Sequence, residues 1–135
     1  MNRAAGLALV LITLTGCNGG TVDEHALKRD SEQVASLATE GELLANDVSK
    51  GASTKYFARV HAKELSEAAS NMADALSERP TSAGVTRDAR KLSKVAADVS
   101  DLLERLHLHP TDREIAESLE QPLSDAADAA DELGK

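Results

Sequence analysis

The chain has 135 residues, with 15 Lys and Arg against 23 Asp and Glu, and a formal net charge of −8. That balance excludes the basic footprint nucleic acid requires, and with no Trp, one Tyr and one Phe no platform for stacking bases is available. The length is that of one domain, and few prolines in a chain dominated by Ala, Leu, Ser, Glu and Asp suit helices.

The chain opens Met1-Asn2-Arg3 and continues uncharged and mostly apolar from Ala4 to Thr15. This is the layout of an export signal. It is too short to span a bilayer as a helix, which takes ~20 residues. The run ends Leu14-Thr15-Gly16-Cys17, and Cys17 is the only cysteine. This tetrapeptide resembles the lipobox of bacterial lipoproteins. The resemblance implies that Cys17 gains a diacylglyceryl thioether and that the Gly16–Cys17 bond is cleaved. Residues 1–16 would then be a signal peptide, 17–22 the acylated cysteine with a flexible leash, and 23–135 a helical domain. The mature chain would have 119 residues (135 minus 16) and a charge near −9, since the loss of Arg3 leaves 14 basic against 23 acidic side chains. Two or more acyl chains hold a protein stably, whereas one does so marginally. A buried thiol is a poor alternative, because Asn18-Gly19-Gly20 cannot form a core, and a lone cysteine has no disulfide partner within the chain. Asn18, in place of the aspartate that retains lipoproteins at the inner membrane, favours the periplasmic face of the outer membrane in a diderm cell.

Four helical segments follow in chain order. The first, from about Asp23 to Ser49, carries Leu27, Val34, Leu37/Ala38, Gly41, Leu44/Ala45 and Val48 at three- and four-residue steps. Gly51 stops it, and Ser53 or Thr54 caps the next. The second runs from about Thr54 to Arg79, with a stripe of Phe57, His61, Leu65, Ala68, Met72 and Leu76 flanked by Val60 and Ala69, and Pro80 ends it. The third, from Ser82 or Val85 to His107, carries Val85, Ala89, Leu92, Val95/Ala96, Val99, Leu102/Leu103 and Leu106. The fourth opens with a capping box between Thr111 and Glu114. It carries Ile115, Leu119, Leu123, Ala126/Ala127, Ala130 and Leu133, with a kink predicted at Pro122. No strand pattern occurs.

Short connections favour antiparallel neighbours, so the fold class is all-α, an antiparallel up-down four-helix bundle after the cleaved signal. The alternative is two helical hairpins that pack loosely, with the third and fourth helices the steadier pair. Folding about residue 109 sets Arg87 against Asp131, Arg90 against Asp128 and Lys94 against Asp125. The repeated aspartates of that last segment lie on one helical face and cannot wrap a cation as a loop does.

The chemistry-bearing stretch is Thr54 to Glu64, which holds both aromatics and places His61 on the apolar stripe. Folding about residue 52 sets Glu42 opposite His61, with Asn46 one turn away. A bundle metal site would draw on Glu42, His61 and Glu64, in the manner of inward carboxylates and histidines in ferritin-like bundles. The Glu-x-x-His order of such sites is reversed here and occurs once, so a register-fixing Glu–His contact is the preferred reading. His107 and His109 lack a third ligand, and His25 is solvated. No phosphate loop and no nucleophile–base pair is visible. The expectation is a lipid-anchored cell-envelope protein, not an enzyme and without cofactor or metal, whose bundle is an interaction or structural module for an envelope partner. It resembles small helical envelope lipoproteins that share no assigned role. The alternative is a metal- or ligand-binding bundle built on Glu42, His61 and Glu64.

Overall fold

The computed structural model describes residues 20–135. The export signal and Cys17 lie outside the described residues. Within them the chain is all-helical, with α1 (Glu24–Ser49), α2 (Lys55–Glu78), α3 (Thr86–Leu108) and α4 (Arg113–Leu133) packed as a helical bundle.

The helix ends follow from local chemistry. The Asp23 carboxylate accepts the Ala26 N–H at 2.8 Å and starts α1. Gly51 then adopts φ +70°, a conformation that side chains resist, and the Gly51 and Ala52 N–H groups bond back to the Val48 and Asp47 carbonyls. The Thr54 hydroxyl caps α2 through the Phe57 N–H at 3.2 Å. Gly84, at φ +96°, turns the chain into α3, whose cap residue Val85 offers no side-chain acceptor. The cap of α4 is Asp112, whose carboxylate accepts the Ile115 N–H at 3.0 Å. The Thr111–Glu114 capping box is therefore not the one used. A carboxylate is the stronger acceptor, and it complements the positive helix end better than a hydroxyl does. Pro122 does not interrupt α4. It sits on the exposed face, where water can satisfy the carbonyl whose partner it removes.

The core has two clusters. One holds Val22, Leu27, Val34, Leu76, Val85 and Leu92 near the start of α1. The other holds Leu44, Val48, Leu65, Leu103, Leu119 and Leu123 at the far end. α1 lies closest to α4, and α2 to α3, while no Cα of α2 comes within 8 Å of one in α4. Residues from opposite ends of the sequence meet along these pairs. Asn46 and Ser49 reach Glu120 at 3.2 and 2.8 Å, and Ser66 and Ser100 exchange hydroxyl-to-carbonyl bonds at 2.9 Å each.

Three expectations are corrected by this packing. The α3–α4 ion pairs do not form. Lys94 bonds Asp98 at 3.1 Å and Lys91 lies 3.9 Å from Asp88, both within α3. Exposed pairs contribute only ~0–1 kcal/mol, too little to choose a partner helix against alanine faces that permit close approach. The stripe of α2 is rotated. Its buried residues are Ala58, Ala62, Leu65, Ser66, Ala69, Ala73 and Leu76, while Phe57 and Val60 are exposed and His61, Ala68 and Met72 are half-buried. The reciprocal Ser66–Ser100 bonds need backbones closer together than ring-sized side chains between them would allow. Finally, Val22 is not free leash. It is fully buried, its N–H bonds to the Pro80 carbonyl at 2.8 Å, and its carbonyl accepts the Ser82 N–H at 3.0 Å. This isolated bridge is the only strand-like pairing among the described residues.

Candidate functional site

The first half of α2 is the least conventional surface of the molecule. Thr54 caps the helix, so Tyr56 and Phe57 fall in its first turn and Val60 in its second. Tyr56 is 79% exposed, Phe57 53% and Val60 37%. Leu43 of α1 and Leu108 of α3 are exposed at the same end of the bundle. Lys55, Arg59 and Lys63 are interleaved with these side chains, and no carboxylate lies between them in sequence. An acidic chain thus gathers its two aromatics and three cations on one exposed helical stretch. Lys63 leans on Glu67 at 2.9 Å, and that hydrogen bond raises its ammonium above the usual lysine range.

His61 anchors the stretch to α1. Its Nε2 lies 2.9 Å from Glu40 Oε1, its Nδ1 lies 3.8 Å from Glu64 Oε2, and the Phe57 ring stacks on it with centroids 5.2 Å apart. The partner from α1 is thus Glu40, not Glu42. Positions 40 and 42 point about 200° apart around a helix at ~100° per residue, so only one of them can face α2. Asn46, placed beside His61 by the same folding rule, instead donates to Glu120 of α4. Glu40 and Glu64 are well exposed, so water screens the pair and its energetic worth is small.

The Glu42, His61 and Glu64 set is not brought together as a metal site. Among the described residues, no group of three or more His, Cys, Asp or Glu side chains is arranged to hold a metal ion. His107 is engaged elsewhere. Its Nδ1 lies 2.9 Å from the Arg59 carbonyl, which can only accept, so that nitrogen carries the proton and the contact ties α3 to α2. His25 and His109 are exposed.

The opposite end holds a pair the sequence reading missed. Arg79, read only as the end of α2, places Nη1 2.9 Å from Asp30 Oδ2 and donates from Nε to the Gly20 carbonyl at 3.1 Å. Asp30 is 5% exposed. The one available signal was an aspartate one turn beyond Leu27 on a largely apolar face, a position that needs a cation if buried. Arg79, Val22 and the α2–α3 turn together hold the entering chain against the bundle. None of the helices among the described residues is long and apolar enough to cross a membrane.

Comparison with known protein families, with curated proteins and with solved structures finds no match.

Proposed function

We propose that this chain is a lipid-anchored bacterial envelope protein, tethered through Cys17 and acting as a non-catalytic module that presents the first half of α2 to an envelope partner. The bundle is read as antiparallel, up-down-up-down. The contacts of Ser49 with Glu120, Ser66 with Ser100 and Glu40 with His61 support that order. The observation that carries the function is the exposed aromatic face. Tyr and Arg are the residues that anchor protein interfaces, and here Tyr56, Phe57 and Arg59 stand together at the end of the bundle away from Gly20. Cations surrounding an apolar centre suit an acidic partner surface with its own apolar patch. The attachment rests on the Leu14-Thr15-Gly16-Cys17 motif, which places the lipid three residues before Gly20. In a diderm cell, Asn18 directs the reading to the outer membrane, facing the periplasm.

Fractionation of cells making the wild type and Cys17→Ala tests the tether. The variant should leave the membrane fraction or accumulate as uncleaved precursor. Mature Cys17→Ala protein that remains membrane-bound would refute the anchor.

A further inference from the structure

A cavity of about 370 Å³ lies at the α2–α3 turn, beside the residues that hold the entering chain. Its polar lining is Ser77, Arg79, Thr81, Thr86, Arg90 and Ser93 over an apolar floor, and it contains no carboxylate. The chain has 23 carboxylate side chains, and another of its surface cavities is lined by Glu32, Glu40 and Asp131. A lining with two arginines, four hydroxyl residues and no acid is therefore not a sample of the average surface.

Two of the hydroxyls are spent within α2 and between α2 and α3, Ser77 on the Asp74 carbonyl at 2.9 Å and Ser93 on the Ala73 carbonyl at 2.8 Å, and the donors that remain are those of Arg90 and the threonine pair. Lys91 and Lys94 occupy the nearby Asp88 and Asp98, and among the described residues Arg90 forms no ion pair. Arg79 is committed through Nη1 to Asp30 and through Nε to Gly20, which leaves Arg90 as the uncommitted cation of the lining. Thr81 Oγ1 and Thr86 Oγ1 lie 2.6 Å apart and share one hydrogen, so one hydroxyl hydrogen of the pair remains to donate. Thr86 is also the first residue of α3, whose cap residue supplies no side-chain acceptor to the amino-terminal N–H groups. A guanidinium fork with hydroxyl and helix-end donors is the chemistry that binds a tetrahedral oxyanion.

We propose that this cavity is a phosphate-binding site, with the Arg90 guanidinium as the main contact and the Thr81–Thr86 pair as a hydroxyl donor. The phosphate is either free or carried on a lipid headgroup. The headgroup source rests on the proposed Cys17 tether, while the free source does not. It gains its plausibility from reach. Gly20 accepts a hydrogen bond from Arg79, a residue of the cavity lining, and three chain steps of ~3.3–3.6 Å each lead from it back to Cys17, so the acyl attachment point lies no more than ~11 Å from Gly20.

The test uses the full chain in a non-ionic detergent, melted with inorganic phosphate, with glycerol 3-phosphate, and with dihexanoyl phosphatidylglycerol. Sodium chloride at matched ionic strength is the control. A saturable rise in melting temperature above chloride is expected. Arg90→Gln should weaken its midpoint at least tenfold, Arg90→Lys should recover only part, and Arg87→Gln, exposed and outside the cavity, should leave it unchanged. A rise shared equally by inorganic phosphate assigns the site to free phosphate, and a rise confined to the glycerol compounds assigns it to a headgroup. No saturable rise with any of the three, or a midpoint unchanged in Arg90→Gln, overturns the proposal. Because Cys17→Ala fractionation reads the tether separately, failure of one is distinguishable from failure of the other.

Discussion

α2 and α3 run side by side and share one interface, yet they divide their large and small residues in opposite ways. α3 turns Leu92, Val99, Leu103 and Leu106 inward. α2 turns in mostly alanines and leaves Phe57 and Val60 outside. An alanine face lets two backbones approach, and the Ser66–Ser100 exchange marks how close they come. The large residues of α3 then fill the centre of the bundle between α2 and the α1–α4 pair. Tyr56, Phe57 and Val60 on the outer surface of α2 belong to neither core cluster, and the proposed recognition role rests on that.

The sharpest way to break that contrast is to truncate one large residue on each helix. Leu103 is fully buried, so Leu103→Ala should cost ~2–5 kcal/mol in denaturant unfolding. Phe57→Ala should cost less than ~0.5 kcal/mol, as exposed substitutions do. Equal losses at the two positions would mean that the aromatic belongs to the core after all.

Next in size is Arg79→Ala, which strands Asp30. Removing one member of a buried pair costs ~3–5 kcal/mol. Arg29, whose Nε lies 3.8 Å from Asp30, offsets part of this. A loss of about 2 kcal/mol is expected. The double variant Arg79→Met/Asp30→Leu should recover most of it. Failure of that recovery would show that the bond to Gly20 matters more than the ion pair.

Gly41→Ala comes third. Alanine gains ~1 kcal/mol of helix propensity over glycine. A β-carbon there would meet Leu103 Cδ2 at 2.6 Å, so this fully buried leucine must shift, with Leu123 Cδ2 also 3.5 Å from the added carbon. Overpacking costs ~1–3 kcal/mol, so a net loss of about 1 kcal/mol is expected by chemical denaturation. A gain would place the closest approach of α1 and α3 elsewhere.

The smallest effect is acidic. The Ala26 N–H holds the Asp23 carboxyl below the usual aspartate range. A group with a lowered folded pKa stabilises above its unfolded value, and the contribution is lost as pH falls through the folded one. The wild-type advantage in melting temperature over Asp23→Ser, which caps without titrating, should therefore be full above about pH 4 and shrink progressively as pH falls below the ordinary aspartate value. A difference that stays constant from about pH 5 down to the acid limit of folding would remove the carboxylate from the cap.

Much of this was legible in the sequence. The bounds of α1 and α2 fall within one residue of the predicted Asp23–Ser49 and Thr54–Arg79, and the leucine stripe of α3 was read correctly. The face of α2 was misread because hydrophobicity was ranked by side-chain size, whereas close helix contact selects small side chains. The Glu40–His61 contact was missed by two positions, since a hairpin folded on paper carries no helical rotation. The Val22 bridge and the Arg79–Asp30 pair join residues about fifty or more apart, and nothing local announces them.

The way the chain enters the bundle also fixes how the molecule bears load. A pull on the residues before Gly20 passes through the Val22 bonds to Pro80 and Ser82, and through Arg79, into the turn that joins α2 to α3. The aromatic face sits at the other end of α2, about 36 Å away for 24 residues at ~1.5 Å each. Tension between the two points therefore runs along the helix axes. Both points belong to α2, so the load stretches that helix between its own ends and falls on its backbone hydrogen bonds and on the Val22 and Arg79 bonds that deliver it, rather than on the α2–α3 contact.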